Sequence, residues 1–346
     1  MRIEQLWREM EAEAQAGSSA GAWLTRLAQP QPASPLLVAL EVAVNRRALL
    51  LPLPKALVPA RREWPVCRGL EVFSVALAGQ AHLGVRLRDA ACADVFTALA
   101  EDVVPRVAAT TSARAAAVAL LGRLRRWQKF LAAGTSGLSA EQQRGLYGEL
   151  HTLRSHLLPG LGAEVAVAGW RAPQAAHQDF QFVSGAVEVK TTTAKQPQAV
   201  RITSERQLDD TGIRALFLQV VVLDEREVEP GAAGGGECLP GLVADLRSRL
   251  AGEPGALELF DDQLLEAGYL DADAPRYSGR RFTLRRELTF RVQRSFPRLV
   301  ERSLPAGVGD VNYALSLAAG APWEVPAAAM SAVLAAPVPP RGRGRL

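Results

Sequence analysis

Cysteine is scarce in this chain of 346 residues: Cys67, Cys92 and Cys238 stand far apart, with no Cys-x-x-Cys between them. That spacing excludes a disulfide framework and a structural zinc site, and it predicts small buried hydrophobes. Histidine is almost as rare, and His82, His151, His156 and His177 lack the intervals of a metal-ligand set. Only His177 falls near other chemistry, where packing or a phosphate contact is its expected role. No apolar run reaches the roughly 18 residues of a membrane span, and the opening Met1-Arg2-Ile3-Glu4 is charged, unlike a secretory signal, so a cytoplasmic location is expected. Neither Gly-x-x-x-x-Gly-Lys-Ser/Thr nor Gly-x-Gly-x-x-Gly occurs, which leaves the chain without a nucleotide-triphosphate or dinucleotide fingerprint. Lysine is the last shortage, with four residues at 55, 129, 190 and 195 against 36 arginines.

What remains is an ordinary soluble composition, 48% hydrophobic and 22% charged, in a chain long enough for two cores. The net charge of +4 is compatible with a polyanionic partner, and arginine forks onto phosphate. Arg123, Arg125, Arg126 and Lys129 flank Trp127, and Arg276, Arg280, Arg281, Arg285 and Arg286 crowd a later stretch. Either set is a solvated face or a track for a phosphate backbone, with Arg123 and Arg126 the candidate nucleic-acid contacts in the first.

The chemistry concentrates between Asp179 and Lys190, which read as a β-hairpin. With Ser184-Gly185 as the two-residue turn, Gln181 pairs with Glu188 and Asp179 with Lys190. Side chains alternate along a strand, so Phe180, Phe182, Val187 and Val189 share the buried face while Asp179, Gln181, Glu188 and Lys190 cluster opposite. Directly paired Cβ atoms stand roughly 5 Å apart. Two carboxylates and an ammonium at one spot suit a divalent metal beside a scissile phosphate: hard Mg²⁺ takes oxygen ligands, and a lysine offsets charge on the phosphate. A one-residue slip would destroy the site. The other reading of these residues is a solvated face with one cross-strand ion pair.

A further carboxylate comes from upstream. Ser139-Ala140-Glu141-Gln142 is a capping box that opens a helix predicted to end before Pro159-Gly160. Leu146, Leu150, Leu153 and Leu157 form its apolar stripe, and Glu149 falls inside that stripe. A carboxylate aimed at the core needs a cation, a hydrogen-bond network or a proton. Glu149 either completes the metal site or sits at the stripe's edge, paired with Arg144 or Arg154.

Taken together, Gly148-Glu149-Leu150, Trp170, His177-Gln178-Asp179-Phe180, Val187-Glu188-Val189-Lys190-Thr191-Thr192-Thr193 and Gln207-Leu208 resemble the PD-(D/E)XK nuclease superfamily. Within it they are most similar to a bacterial group found among restriction and phage-defence genes. A weaker likeness continues around Phe296-Pro297-Arg298 and Tyr313. The resemblance implies a mixed sheet flanked by helices, Asp179 and Glu188 as metal ligands, Glu149 as the acid of the preceding helix, Lys190 as the catalytic lysine and Gln207 close by. Gln178 stands where the eponymous proline would be. Thr191, Thr192 and Lys195, just past the catalytic strand, are placed for phosphate contacts, although β-propensity alone explains a run of threonines.

Punctuation and periodicity organise the rest. An amphipathic helix over 3–16, strands within 36–53 and 70–87 and a helix over 90–104 make a small α/β, β-rich domain of unassigned role, 1–111. A nuclease-like α/β domain follows over 112–325: a helix at 113–132, the Glu149 helix, a strand near 163–170, the hairpin, and a strand at 215–223 whose unbroken apolar run implies burial on both faces. Thr203 or Ser204 starts a helix or caps it, helices occupy 240–250 and 256–267, and strands occupy 281–294 and 311–317. Residues 326–346 form a low-complexity basic tail.

Three functional classes follow. The expected one is an endonuclease that hydrolyses DNA with Mg²⁺, or Mn²⁺ in its place, in a restriction or phage-defence system. Helicase, ATPase or methyltransferase partners would supply what the chain lacks, and homodimerisation is possible. The second is a nuclease fold that binds DNA or assembles a defence complex without cutting. The third acts on another phosphate ester.

Overall fold

A computed structural model describes residues 3–17, 22–29, 35–66, 69–133, 137–171, 177–196, 198–229 and 235–337. By its internal contacts the chain divides into two compact units, Met1–Gly137 and Leu138–Leu346.

In the first unit, helix α1 (Ile3–Gln15) precedes β1 (Trp23–Leu27), β2 (Leu37–Glu41), β3 (Arg46–Leu53), β4 (Leu70–Leu77) and β5 (Gln80–Leu87), followed by α2 (Ala93–Ala108) and α3 (Ala113–Ala133). The strands form one antiparallel sheet in the order β1-β2-β3-β5-β4. The α1 stripe of Ile3, Leu6, Trp7 and Met10 is buried, and Trp7 stacks on Phe96 of α2 while its indole N–H donates to Ala39 O at 3.0 Å. Arg47 closes the layer over Trp7, pairing with Glu4 and Glu11. Because α3 packs on α2 and β3, the division falls at Gly137/Leu138, where sequence punctuation placed it at 111/112.

The second unit opens with α4 (Ala140–Thr152), and Ser139 and Gln142 make both bonds of the expected capping box. The helix does not stop at Pro159. It widens into a π-helical turn, Leu153–Leu157, and continues as α5 (Leu158–Leu161), with Pro159 falling just past the wide turn, where the regular hydrogen-bond ladder is already interrupted. The strand expected near 163–170 is instead α6 (Ala163–Gly169). Its alternating sequence resembles a strand, but Ala166, Val167 and Trp170 are buried at helical spacing while Val165 is 52% exposed.

Next come β6 (Phe180–Gln181), β7 (Ala186–Thr192), β8 (Ala199–Ile202), β9 (Leu216–Glu227), α7 (Leu239–Leu250), α8 (Pro254–Glu266), α9 (Ala274–Tyr277), β10 (Arg280–Val292), β11 (Tyr313–Ser316), α10 (Leu317–Gly320), β12 (Glu324–Val325) and α11 (Ala327–Ala335). A mixed sheet runs β12-β10-β9-β7-β6, with β7 parallel to β9 and the other pairs antiparallel; β8 and β11 form a separate two-stranded ribbon. The first eight residues of β9 are all buried, as their unbroken apolar run requires. One face of the sheet packs a core with α4, α6, α7 and α8, built on Leu150, Leu153, Trp170, Val187, Val189, Phe217 and Phe260. The other packs Leu218, Val220 and Phe290 against the ribbon's Val200, Ile202 and Leu315. The segment expected to be a basic tail from 326 begins as a packed helix, since Met330 and Leu334 of α11 are buried; residues 338–346 lie outside those described.

Candidate active site

The hairpin forms with its turn one residue earlier than expected. Phe182 and Gly185 exchange backbone hydrogen bonds at 2.7 and 3.3 Å around Val183-Ser184, and Phe180 pairs with Val187 and Gln181 with Ala186. Gly185 must close the turn, since a Cβ there would lie 2.3 Å from Ala215 O. The register therefore differs by two from the expected one. An even shift keeps every side chain on its own face, so the chemistry survives, but the next step of the ladder places Asp179 opposite Glu188 instead of Lys190.

Glu188 is 1% exposed, and Lys190, two residues along the same face, brings Nζ within 2.6 Å of its Oε1. Glu188 Oε1 is thus held by this ion pair, and no other side chain among the described residues bonds the carboxylate. Asp179 folds over the strand, where its Oδ2 accepts from Val189 N at 2.7 Å. Glu149 reaches the same place from α4, which approaches β7 closely because Gly148 has no side chain: a Cβ there would come within 2.3 Å of Thr191 Cγ2. Its Oε2 accepts from the Trp170 indole at 2.8 Å. The pairings weighed for Glu149 do not form, as Arg144 binds Glu225 and Arg154 binds Glu237 and Asp245.

The electrostatics follow from three acids sharing one amine. Burial and then the Asp179 charge push Glu188 up to about 8, against the opposing pull of Lys190. Burial also raises Asp179, and burial with the neighbouring Asp179 and Glu188 charges raises Glu149 well above the usual carboxylate range. Desolvation alone would lower Lys190, but the Glu188 and Asp179 charges reverse this and raise it, so the amine stays protonated. Excess negative charge in a dry site is what a divalent cation relieves. Among the described residues no group of three or more His, Cys, Asp or Glu side chains stands in metal-holding geometry. The Asp179 and Glu188 carboxylates, side by side and answered by a single amine, still suit a hard cation, because Mg²⁺ commonly takes only one or two carboxylates, filling its shell with water and phosphate.

The chain matches, over residues 3–318, a family model described as "Putative PD-(D/E)XK family member, (DUF4420)". It belongs to this family. Members of the PD-(D/E)XK superfamily typically use divalent metals, and the mixed sheet flanked by helices accords with their fold. No curated protein and no solved structure matches the chain.

Other sequence candidates are placed differently. Gln178, in the eponymous proline's position, is buried and donates to Arg206 O at 2.9 Å, tying the loop after β8 to the start of β6. The 204–208 segment is a turn and not a helix, held by Ser204 O and Oγ. Gln207 turns its amide oxygen back to Thr203 N at 2.9 Å, so its side chain serves that turn. Thr191 packs its methyl under α4, and buried Thr192 accepts from Ala194 N at 3.2 Å; Lys195 and His177 are exposed. Arg123 is buried. Its guanidinium is 6% exposed and locked on Asp102, which also binds Arg106 and the Trp127 indole, so the structure places it in a buried ion pair and not on the solvated face expected of the 123–129 cluster. Arg126, on the same helix, is half-buried.

A second polar cluster escaped the sequence. His151 Nε2 and His156 Nε2 lie 3.2 and 2.8 Å from the same Oε1 of Glu287, which Gln219 also meets at 3.2 Å, and Thr289 bonds Gln219 at 2.5 Å. A five-residue interval misses on a regular helix, but the wide turn at 153–157 brings both rings to one face. Burial opposes ionisation of Glu287, yet the hydrogen bonds from His151 and His156 override it and hold the carboxyl well below its usual range.

No helix among the described residues is long and apolar enough to cross a membrane.

Proposed function

We propose that the chain is a Mg²⁺-dependent DNA endonuclease of a restriction or phage-defence system, with Mn²⁺ able to substitute. One observation carries the reading: a carboxylate that is 1% exposed, answered only by the Lys190 ammonium, lies beside two more acids that share the same amine. Asp179 and Glu188 would hold the metal and Glu149 would complete its negative surroundings through the Trp170-fixed carboxylate. The cation, when bound, supplies Lewis acidity toward a phosphoryl oxygen and a more acidic water. Lys190, kept charged by its acidic neighbours, orients the attacking water and offsets charge gathering on the phosphate. Gln178 and Gln207 fix the loop beside the site without touching the reacting atoms. Transport along DNA or its methylation falls to partner subunits, as the chain carries no motif for either.

That no three-ligand cluster stands ready among the described residues favours one competing reading, a nuclease-fold subunit that binds without cutting. Digestion of modified and unmodified plasmid with Mg²⁺ or Mn²⁺, beside an EDTA control, separates the two. Wild type should nick or linearise DNA only with metal, and Asp179→Ala, Glu188→Gln and Lys190→Ala should each lose on the order of 10³-fold in rate, equivalent to about 4 kcal/mol of barrier. Equal cutting by all four proteins would eliminate the proposed site, and no cutting by any would leave the binding subunit.

A further inference from the structure

Away from the carboxylates, the loop after β10 encloses a cavity of about 630 Å³ lined by Asp210, Arg294, Phe296, Arg298, Val300, Arg302 and Ser303. That volume suits a nucleotide-sized group. Arg298 is 3% exposed and fixed by Leu208 O and by Asp210 Oδ2, the latter at 2.8 Å. Arg302 bonds Asp210 Oδ1 at 3.0 Å and Thr211 Oγ1 at 2.9 Å, with Asp209 at 3.6 Å behind it. Arg294 is exposed and has no hydrogen bond or ion pair among the described residues. Two arginines are thus prepositioned by one aspartate, and a third has charge to spare. The wall leads back to the acids: Arg298 grips Leu208 while Gln178, next to Asp179, grips Arg206, so one short loop is fastened at both ends. Tyr313, whose hydroxyl accepts from Leu299 N at 3.2 Å, lies within electrostatic reach of both Arg298 and Lys190.

We propose that the arginine cavity binds a backbone phosphate of duplex DNA flanking the phosphodiester at Asp179, Glu188 and Lys190, with Arg294 as its direct contact and Arg298 and Arg302 as its fixed wall. This rests on the endonuclease reading for its choice of ligand. It explains why a cavity already holding one carboxylate keeps an excess of guanidinium, whose fork matches phosphate oxygens.

The test measures binding without cleavage. Full-length Glu188→Gln protein, in EDTA, is titrated against a fluorescent DNA duplex over a salt series, with and without Arg294→Ala. Losing one phosphate contact should flatten the slope of log affinity on log salt by about 0.9, so the two affinities converge about 3.5-fold between roughly 50 and 200 mM salt. Arg249→Ala, a surface arginine of α7 paired with Asp245, is the control and should leave the slope unchanged. In the cutting enzyme, Arg294→Ala should raise KM with little change in kcat. An unchanged slope for Arg294→Ala with unaltered thermal stability overturns the proposal. So does stabilisation of the protein by inorganic phosphate that Arg294→Ala abolishes while DNA affinity holds, which assigns the cavity to a free anion. If wild type cuts nothing but the slope still flattens, the cleavage reading falls and the phosphate subsite stands.

Discussion

Helix α4 serves two polar clusters that solve the same problem in opposite ways. At one, Glu287 receives both imidazoles and an amide on a single oxygen, and it ionises more easily than it would in water. At the other, Glu149, Asp179 and Glu188 share one lysine, and all three are harder to ionise than in water. Both lie in the second unit, and both combine burial with charge. The difference is in the supply of donors, and it separates a group whose charge stabilises the fold from a set whose charge awaits a partner. A site that stores unfavourable electrostatics is where function is expected, because a structural network would have neutralised it.

That contrast can be broken by mutation, and pH gives the largest effect. Glu188 holds its proton more tightly folded than unfolded, so its favourable contribution is complete below the ordinary carboxylate value and is lost as pH rises toward about 8. Metal-free Glu188→Gln should therefore be more stable than wild type near pH 8.5, by on the order of 1–3 kcal/mol, with little difference at pH 5. Mg²⁺ should stabilise wild type at the higher pH and leave the variant unmoved. Chemical denaturation at both pH values reads this, and a variant less stable than wild type at pH 8.5 would mean that the acids are already satisfied.

Glu287 should behave with the sign reversed. Its depressed value contributes stability that is present above the ordinary carboxylate value and disappears as pH falls through the folded value. Glu287→Gln should cost roughly 1–2 kcal/mol at pH 7 and flatten the acid limb of the stability curve, while cleavage of plasmid continues. Loss of cleavage in a stably folded Glu287→Gln protein would make the two clusters one functional unit.

The smallest effect sharpens the geometry. Gly148→Ala forces a methyl against Thr191 Cγ2 and should cost about 1–2 kcal/mol, and Thr191→Ser, which removes that methyl, should recover much of it. A thermal-melt double-mutant cycle decides: strict additivity would show that α4 does not rest on β7 through this pair.

These contrasts also show what a sequence can carry. The alternation that placed Asp179, Glu188 and Lys190 together depends on parity alone, so it was unaffected when the turn proved to be Val183-Ser184. The capping box at Ser139 and the doubly buried β9 were equally legible, because each is a local pattern with one physical solution. α6 was not, since Ala-Glu-Val-Ala-Val-Ala satisfies both periods and only packing of Ala166 and Val167 chooses between them. Arg123 read as a surface cation because its partner, Asp102, lies on a different helix. The His151, His156 and Glu287 meeting was hidden twice, by a contact across more than 130 residues and by a helix turn of unusual width.

That wide turn makes the two clusters separable. A π-helical turn accommodates one residue beyond regular winding, and every position after it is rotated accordingly. Wound as regular α-helix with no residue removed, the same chain would set His156 about 140° around the axis from His151, away from Glu287, while Gly148 and Glu149, one turn upstream, kept their seats against β7. The unusual width of that turn is thus what lets one helix serve both chemistries.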